Sequence, residues 1–183
     1  MDQTELVVLL DDVGAPVGTA PKSDVHTANT PLHLAFSCYL LDREGRILVT
    51  RRALAKRTWP GVWTNSFCGH PGPEEALGSA VRRRGRQELD VGIESVQERL
   101  PDFSYRAVDA GGTVENEFCP VFTALASGPV APRAEEVMEW EWVEPEALLV
   151  AVSNTPFVFS PWLREQLPHL FEIGAFPGGP NGA

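Results

Sequence analysis

From Trp59 to Pro71 the chain reads Trp-Pro-Gly-Val-Trp-Thr-Asn-Ser-Phe-Cys-Gly-His-Pro, and no other stretch limits the fold so tightly. Cys68 and His70 flank Gly69. On an extended backbone both side chains leave from one face, and the residue without a side chain between them admits a close neighbour. Such a pair belongs either to a reactive site or to the buried end of a strand, because lone cysteines and histidines are also ordinary core residues. The choice depends on whether the rest of the chain supplies partners for both.

Size and charge narrow the class. A chain of 183 residues, 43% of them hydrophobic, is expected to form one domain with a sizeable core. No apolar run reaches membrane-spanning length, and Met1 to Glu5 lacks the basic start of a secretory signal, which predicts a cytoplasmic protein. Cys38, Cys68 and Cys119 are an odd number without paired spacing, so free thiols are expected. A net charge of −10 argues against nucleic acid and anionic membranes as partners. The cations are nevertheless clustered: six of the fifteen Lys and Arg lie between Arg43 and Arg57, and four between Arg82 and Arg86. Clusters of this kind suit a small, highly charged anion if folding unites them, and are two solvated faces if it does not.

The element pattern is mixed. Glu5 to Leu10 and Val17 to Ala20 read as a hairpin, Lys22 and His26 stand at helical spacing, and Thr27 to Pro31 reads as loop. The apolar run from His33 to Leu41 predicts one buried strand, with Ile47 to Arg52 returning as its hairpin partner. A helix is expected from about Glu74 to Leu89, acidic in its first turn, with Leu77, Val81, Arg84 and Glu88 on one face. Its two charged members either reach solvent or point into a polar site, and Gly78 and Gly85 weaken the helix. Phe103 to Val108 and Thr113 to Leu125 read as strands about a tight turn, Met138 to Trp142 as a half-buried strand, and Pro145 to Val152 as a helix. Pro161 to Leu167 reads as a helix capped by Ser160, before a Gly-Pro-rich tail.

Within this frame Glu115 and Glu117 are two apart on a strand, so both carboxylates face one way and repel unless a cation lies near them. With His26, His33 and His70 they form a nitrogen and oxygen set suited to Mn2+ or Mg2+, with Zn2+ as the alternative. The spacing alone does not prove that they converge. His169 is left over and reads as a surface residue.

Arg51-Arg52-Ala53, Trp59 to Ser66, Cys68-Gly69-His70-Pro71, Tyr105-Arg106-Ala107, Glu115-Asn116-Glu117, Cys119 to Phe122 and Phe159 to Trp162 together resemble the type 1 isopentenyl-diphosphate isomerases of the Nudix superfamily. The match runs from about Lys22 to Trp162. It implies a Nudix-type α/β/α sandwich with a mixed sheet, and the interconversion of isopentenyl and dimethylallyl diphosphate. Residues 1–30 are expected to form an N-terminal hairpin and closing segment, the Gly-Pro-rich tail from about 172 to 183 to be flexible, and the protein to be a monomer or weak dimer.

By the same resemblance His26, His33, His70, Glu115 and Glu117 bind the first ion, and Glu88 binds Mg2+ with the diphosphate. Lys22, Arg52, Lys56 and Arg84 match the diphosphate-binding positions, and Cys68 and Glu117 the catalytic pair. Isomerising an unactivated alkene requires one proton delivered and another removed two carbons away, by groups on opposite faces of the substrate. Glu117, near Tyr105, is the expected donor, and Cys68 the thiolate acceptor, its ionisation helped by nearby positive charge. Trp162 would offer its indole face to the carbocation. The superfamily's box survives as Gly69, Glu75, Arg83 and Glu88, while Arg84 and Gln87 occupy two of its glutamate positions and Asp90 its last glycine. Losing carboxylates that hold water-activating ions argues against hydrolysis.

Overall fold

The computed structural model describes residues 5–177. Strands β1 (Leu6–Leu10) and β2 (Pro16–Pro21) form the expected hairpin and lead into a single helical turn, α1 (Lys22–Val25). Then follow β3 (His33–Leu34), β4 (Phe36–Leu41), β5 (Ile47–Arg52), β6 (Trp63–Thr64) and β7 (Phe67–Gly69). Helix α2 (Leu77–Leu89) precedes β8 (Ile93–Leu100), β9 (Ser104–Val108), β10 (Val114–Phe118), β11 (Val121–Ala126) and β12 (Val137–Val143). Helices α3 (Pro145–Asn154) and α4 (Pro161–Glu172) close the chain. Three of the turns share one device: Asp11, Asp42 and Asp109 each accept from the backbone N–H groups two and four residues on, as aspartates in turns are suited to do.

The strands make two sheets, ordered β2-β1-β3-β10-β9 and β12-β5-β4-β11-β8, with β6 on β5 and β7 on β4. Two strands expected to be continuous are each divided between the sheets. His33 to Leu41 breaks at Ala35, and Thr113 to Leu125 breaks at Cys119-Pro120, where proline has no N–H to give a ladder. The pieces cross side by side, β3 parallel to β10 and β4 parallel to β11, joined by Ala35 N to Phe118 O and Ser37 N to Pro120 O. The β4–β5 hairpin is also shorter than expected, pairing only at Leu41 and Ile47. Beyond that point Ser66 wedges between the strands, accepting from Leu40 N and donating to Leu48 O, so that β6 and β7 take over the ladders.

The second sheet is covered on both faces, which is why β4 reads as continuously apolar. Phe36, Cys38 and Leu40 meet Ala80, Val81 and Leu89 of α2, while Tyr39 and Leu41 meet Leu148 and Val152 of α3 and Leu163, Leu167 and Leu170 of α4. The result is the α/β/α sandwich. Gly85 is a packing requirement rather than a weakness, since a Cβ there would lie 2.5 Å from Ile93 Cδ1.

Three boundaries differ from expectation. Helix α2 begins at Leu77 because Glu74 is left-handed (φ 61°) and Glu75 turns back to accept from Gly72 N, so the acidic residues precede the first turn. Met138 and Trp140 are exposed and only Trp142 of that alternating set reaches the core, on a strand at the edge of its sheet. The tail starts later than residue 172: α4 runs to Glu172, and Phe176 is buried with its ring 6.0 Å from Tyr39 and 5.3 Å from Phe171. Residues 178–183 lie outside the described residues.

Candidate active site

The division of the two strands builds the site, because it leaves β3 and β10 side by side at the sheet crossing. Register places His33 and Tyr105 on either side of Glu117. His26 arrives from the end of α1 and His70 from the end of β7. Ligand atoms of His26, His33, His70 and Glu117 lie within 4.8 Å of one another. Glu115 joins the edge of this group, its Oε2 3.0 Å from His26 Nε2.

The donor set fits a divalent cation. His26 Nε2, His33 Nε2, His70 Nδ1 and Glu115 Oε2 are buried and make no well-formed hydrogen bond, even where two of them approach each other, a costly state that a bound cation relieves. His33 Nδ1 lies 3.0 Å from the Pro31 carbonyl, an arrangement that puts the proton on Nδ1 and leaves Nε2 free to ligate. Burial pulls His70 down to about 4, keeping it neutral and available. Burial also opposes charge on Glu117 and His33. The attraction between the two, 3.5 Å apart, and the contact of Glu117 with His70 Nε2 at 3.3 Å win, so that Glu117 is held well below the usual carboxylate range and His33 above its ordinary value.

A cavity of about 620 Å³ opens beside these groups, lined by Lys22, Arg52, Lys56, Arg84, Cys68, Tyr105, Glu115, Glu117 and Trp162 among others. The basic clusters therefore unite in part: Arg52, Lys56, Arg57 and Arg84 share the cavity, whereas Arg46 pairs with Asp42 elsewhere. Most of these cations already have carboxylate partners. Lys22 meets Glu5 at 2.6 Å, Lys56 meets Glu136, and buried Arg84 meets Glu88, with Glu136 3.6 Å away. Arg84 keeps Nε buried and unpartnered. Lys56 is nevertheless pulled down to about 7, by burial first and then by Arg52, Arg84 and Lys22. The charged residues of the α2 stripe thus point into a polar site.

The close neighbour that Gly69 admits is the chain itself, since a Cβ there would lie 2.6 Å from Arg84 Cγ and 2.9 Å from Phe36 Cζ. Cys68 departs from the expected thiolate. Burial pushes its thiol up and Glu117 adds to this, against smaller opposing contributions from Ser37, Asn65 and Arg52. Trp162 also differs from an open indole face: Arg52 Cζ is 5.5 Å from its ring centroid, and Trp59 and Tyr105 flank it at 5.6 and 5.7 Å. Burial and the nearby carboxylates keep the Tyr105 phenol protonated. His169 is exposed beside Glu172, as a surface residue should be.

Sequence reasoning missed Glu5 and Glu136, which face the cations, Ser37 and Asn65, which touch Cys68, and Gln166, which lies behind Ser37. Asn65 stood inside the motif-dense stretch and was the one traceable signal. A carboxylate such as Glu136, 80 residues from its lysine partner, carries none.

Fold and site together define a Nudix domain. A family model described as NUDIX domain matches residues 31–168, and the chain belongs to that family. Within it, the chain is 65% identical over 176 residues to the Isopentenyl-diphosphate Delta-isomerase of Clavibacter michiganensis subsp. michiganensis, covering 96% of this chain and 91% of that one. It is 60% identical over 170 residues to the protein of the same name from Corynebacterium glutamicum, covering 90% of each. Among solved structures, the DR0079 protein of Deinococcus radiodurans superposes with a TM-score of 0.69 at 20% identity, covering 90% of this chain and 98% of that one. A MutT protein from Methanosarcina mazei gives 0.61 at 18%, covering 78% and 94%, and these two likenesses concern the fold alone. Among the described residues no helix is long and apolar enough to cross a membrane.

Proposed function

We propose that this chain interconverts isopentenyl and dimethylallyl diphosphate by moving one proton onto the five-carbon chain and another off it. The observation that carries the reading is a single cavity in which the Cys68 thiol and the Glu117 carboxylate stand beside Lys22, Arg52, Lys56 and Arg84. Curated relatives bearing the isomerase name support it.

In this reading the four cations bind the diphosphate, and the wall of Trp162, Tyr105 and Phe67 receives the hydrocarbon. Cys68 and Glu117 form the proton pair. One is held as a thiol and the other as a carboxylate, so between them they carry the single proton that an allylic shift exchanges. Reversing the reaction reverses their roles. Tyr105 lies next to Glu117 in register and orients that carboxylate, and Trp162 stabilises positive charge on the substrate by about 0.5 to 2 kcal/mol once Arg52 is engaged by phosphate. His26, His33, His70, Glu115 and Glu117 would hold the first ion, Mn2+ or Mg2+ with Zn2+ as the alternative, and Glu88 would hold Mg2+ at the diphosphate. When bound, these ions supply positive charge that fixes the Glu117 carboxylate and screens the phosphates. The reading takes the enzyme as cytoplasmic, and as a monomer or weak dimer.

The test supplies purified protein with isopentenyl diphosphate and Mg2+ in heavy water. Deuterium incorporation with formation of the allylic isomer is expected. Release of phosphate or pyrophosphate without isomer would assign the site to hydrolysis instead.

A further inference from the structure

Behind Cys68, away from the cavity, lies a buried polar chain that neither the metal cluster nor the cationic wall accounts for. Tyr39 of β4 donates to Gln166 Oε1 at 3.0 Å, and Gln166 Nε2 of α4 donates to Ser37 Oγ at 3.0 Å. Ser37 Oγ in turn lies 3.4 Å from the sulfurs of both Cys68 and Cys119. Ser37 and Gln166 are fully buried. Unpaired polar groups at such depth are expensive, so a serine and a glutamine retained between apolar helix and sheet need a reason.

The directions of these bonds follow from the atoms. Tyr39 has only one proton, and giving it to Gln166 Oε1 fixes which end of the amide faces Ser37. Ser37 Oγ then accepts from Gln166 Nε2, and its own proton is left for a sulfur. Cys119 is sealed from the cavity and has a thiol proton of its own to give, whereas Cys68 lines the cavity. On the other side Trp162 Nε1, which can only donate, takes Asn65 Oδ1 at 2.8 Å, and Asn65 Nδ2 gives its two protons to the Cys38 and Phe67 carbonyls at 3.0 and 2.9 Å, so that the amide stands 3.4 Å from Cys68 Sγ with no proton left for it and Ser37 is the available donor.

We propose that Ser37 and Gln166 are positioning residues for Cys68, with Gln166 orienting the Ser37 hydroxyl so that its proton is presented to the sulfur. The proposal rests on the reading of Cys68 as a proton-transfer group. A sulfur that gains and loses a proton in each turnover alternates between neutral and anionic forms. The Ser37 hydroxyl, already aimed at it, meets the anionic form without reorganising, as donors to a developing oxyanion do. Its buried supports keep the thiol from rotating away from the substrate.

The experiment uses Gln166→Glu, Ser37→Ala, the double variant and Cys68→Ala, each loaded with divalent metal and assayed for isomerisation. Gln166→Glu removes no heavy atom. Its carboxyl oxygen accepts the Ser37 proton and turns it away from the sulfur. Both single variants are expected to lose about 10- to 100-fold in kcat, with KM within about twofold of the parent. The double variant should be no slower than Ser37→Ala, because Gln166 acts only through Ser37. If Ser37→Ala does not fold, the isosteric Gln166→Glu carries the test alone. Turnover within twofold of the parent in Gln166→Glu and in any folded Ser37→Ala, or losses that multiply in the double variant, would overturn the proposal while Cys68→Ala remains inactive. An active Cys68→Ala would overturn the reading of Cys68 itself and this proposal with it.

Discussion

Cys68 and Glu117 invite a contrast that separates chemistry from binding. Cys68→Ala removes a proton-transfer group and leaves the four-residue metal cluster intact, so kcat should fall by about 10²- to 10⁴-fold with metal content and analogue affinity unchanged. Glu117→Gln should also abolish turnover but lose metal, as elemental analysis of both variants would show. Retained turnover in Cys68→Ala is the result that contradicts the mechanism. Lys56 supplies a pH signature. Its folded value of about 7 lies below its ordinary 10.5, so the charged form is disfavoured in the fold. That cost to stability is full below pH 7 and is relieved as pH rises toward 10.5. A diphosphate favours the charged form, so analogue binding at pH 8 should take up protons, and binding at pH 6 far fewer. Calorimetry in buffers of different ionisation heat measures the uptake, which Lys56→Met should remove. The residue types gathered in the cavity were legible in sequence, since the family resemblance named both groups and the lysine. Their ionisation was not, because burial of Cys68 outweighs the nearby positive charge and burial is a property of the folded chain.

At the scale of elements, the connection from His70 to α2 depends on Glu75. Its carboxylate accepts from Gly72 N and from Arg83 at 2.8 Å, and Arg83 also donates to the His70 carbonyl at 3.0 Å. Glu75→Gln should destabilise the protein by about 1 kcal/mol, the scale of a partly exposed ion pair. The Arg83 hydrogen bonds hold Glu75 below its ordinary value of 4.5. Its stabilisation is therefore complete above pH 4.5 and lost as pH falls through the lowered value, so parent and variant should converge in acid denaturation. Equal separation of their melting curves at pH 7 and pH 3 would contradict this. Helix periodicity and caps were largely readable: α3, α4 and the Ser160 cap lie where the pattern put them. The strand break at Ala35 was not, because hydrophobicity continues through it, whereas Pro120 did mark the second break and was passed over as part of one run. A run buried on each face looks the same whether it stays in one sheet or crosses to another. Strand β8 escaped notice for the opposite reason, as its exposed charged residues leave little alternation to detect.

Across the whole molecule, the N-terminal hairpin is joined to the body by few bonds, Leu10 N to Leu32 O and the Leu9–His33 pairing among them, yet it delivers both Lys22 and His26 to the site. Metal and a diphosphate analogue should therefore protect residues 11–31 from limited proteolysis, and chelation should restore cleavage there before the sandwich melts. Identical cleavage with and without ligands would contradict this coupling. The sandwich and its class were legible from motifs in order along the chain. The convergence of distant acids on the cations was not, because no local pattern links Glu136 to Lys56 or Glu5 to Lys22. Those pairs change what binding means here. Lys22, Lys56 and Arg84 each hold a carboxylate of the chain, so an anion bound as proposed would exchange places with a resident one instead of filling an empty basic hollow. Swapping like for like leaves little net attraction to be weakened by salt. It also gives the departing product a competitor at every cation it releases, an internal ligand that never diffuses away.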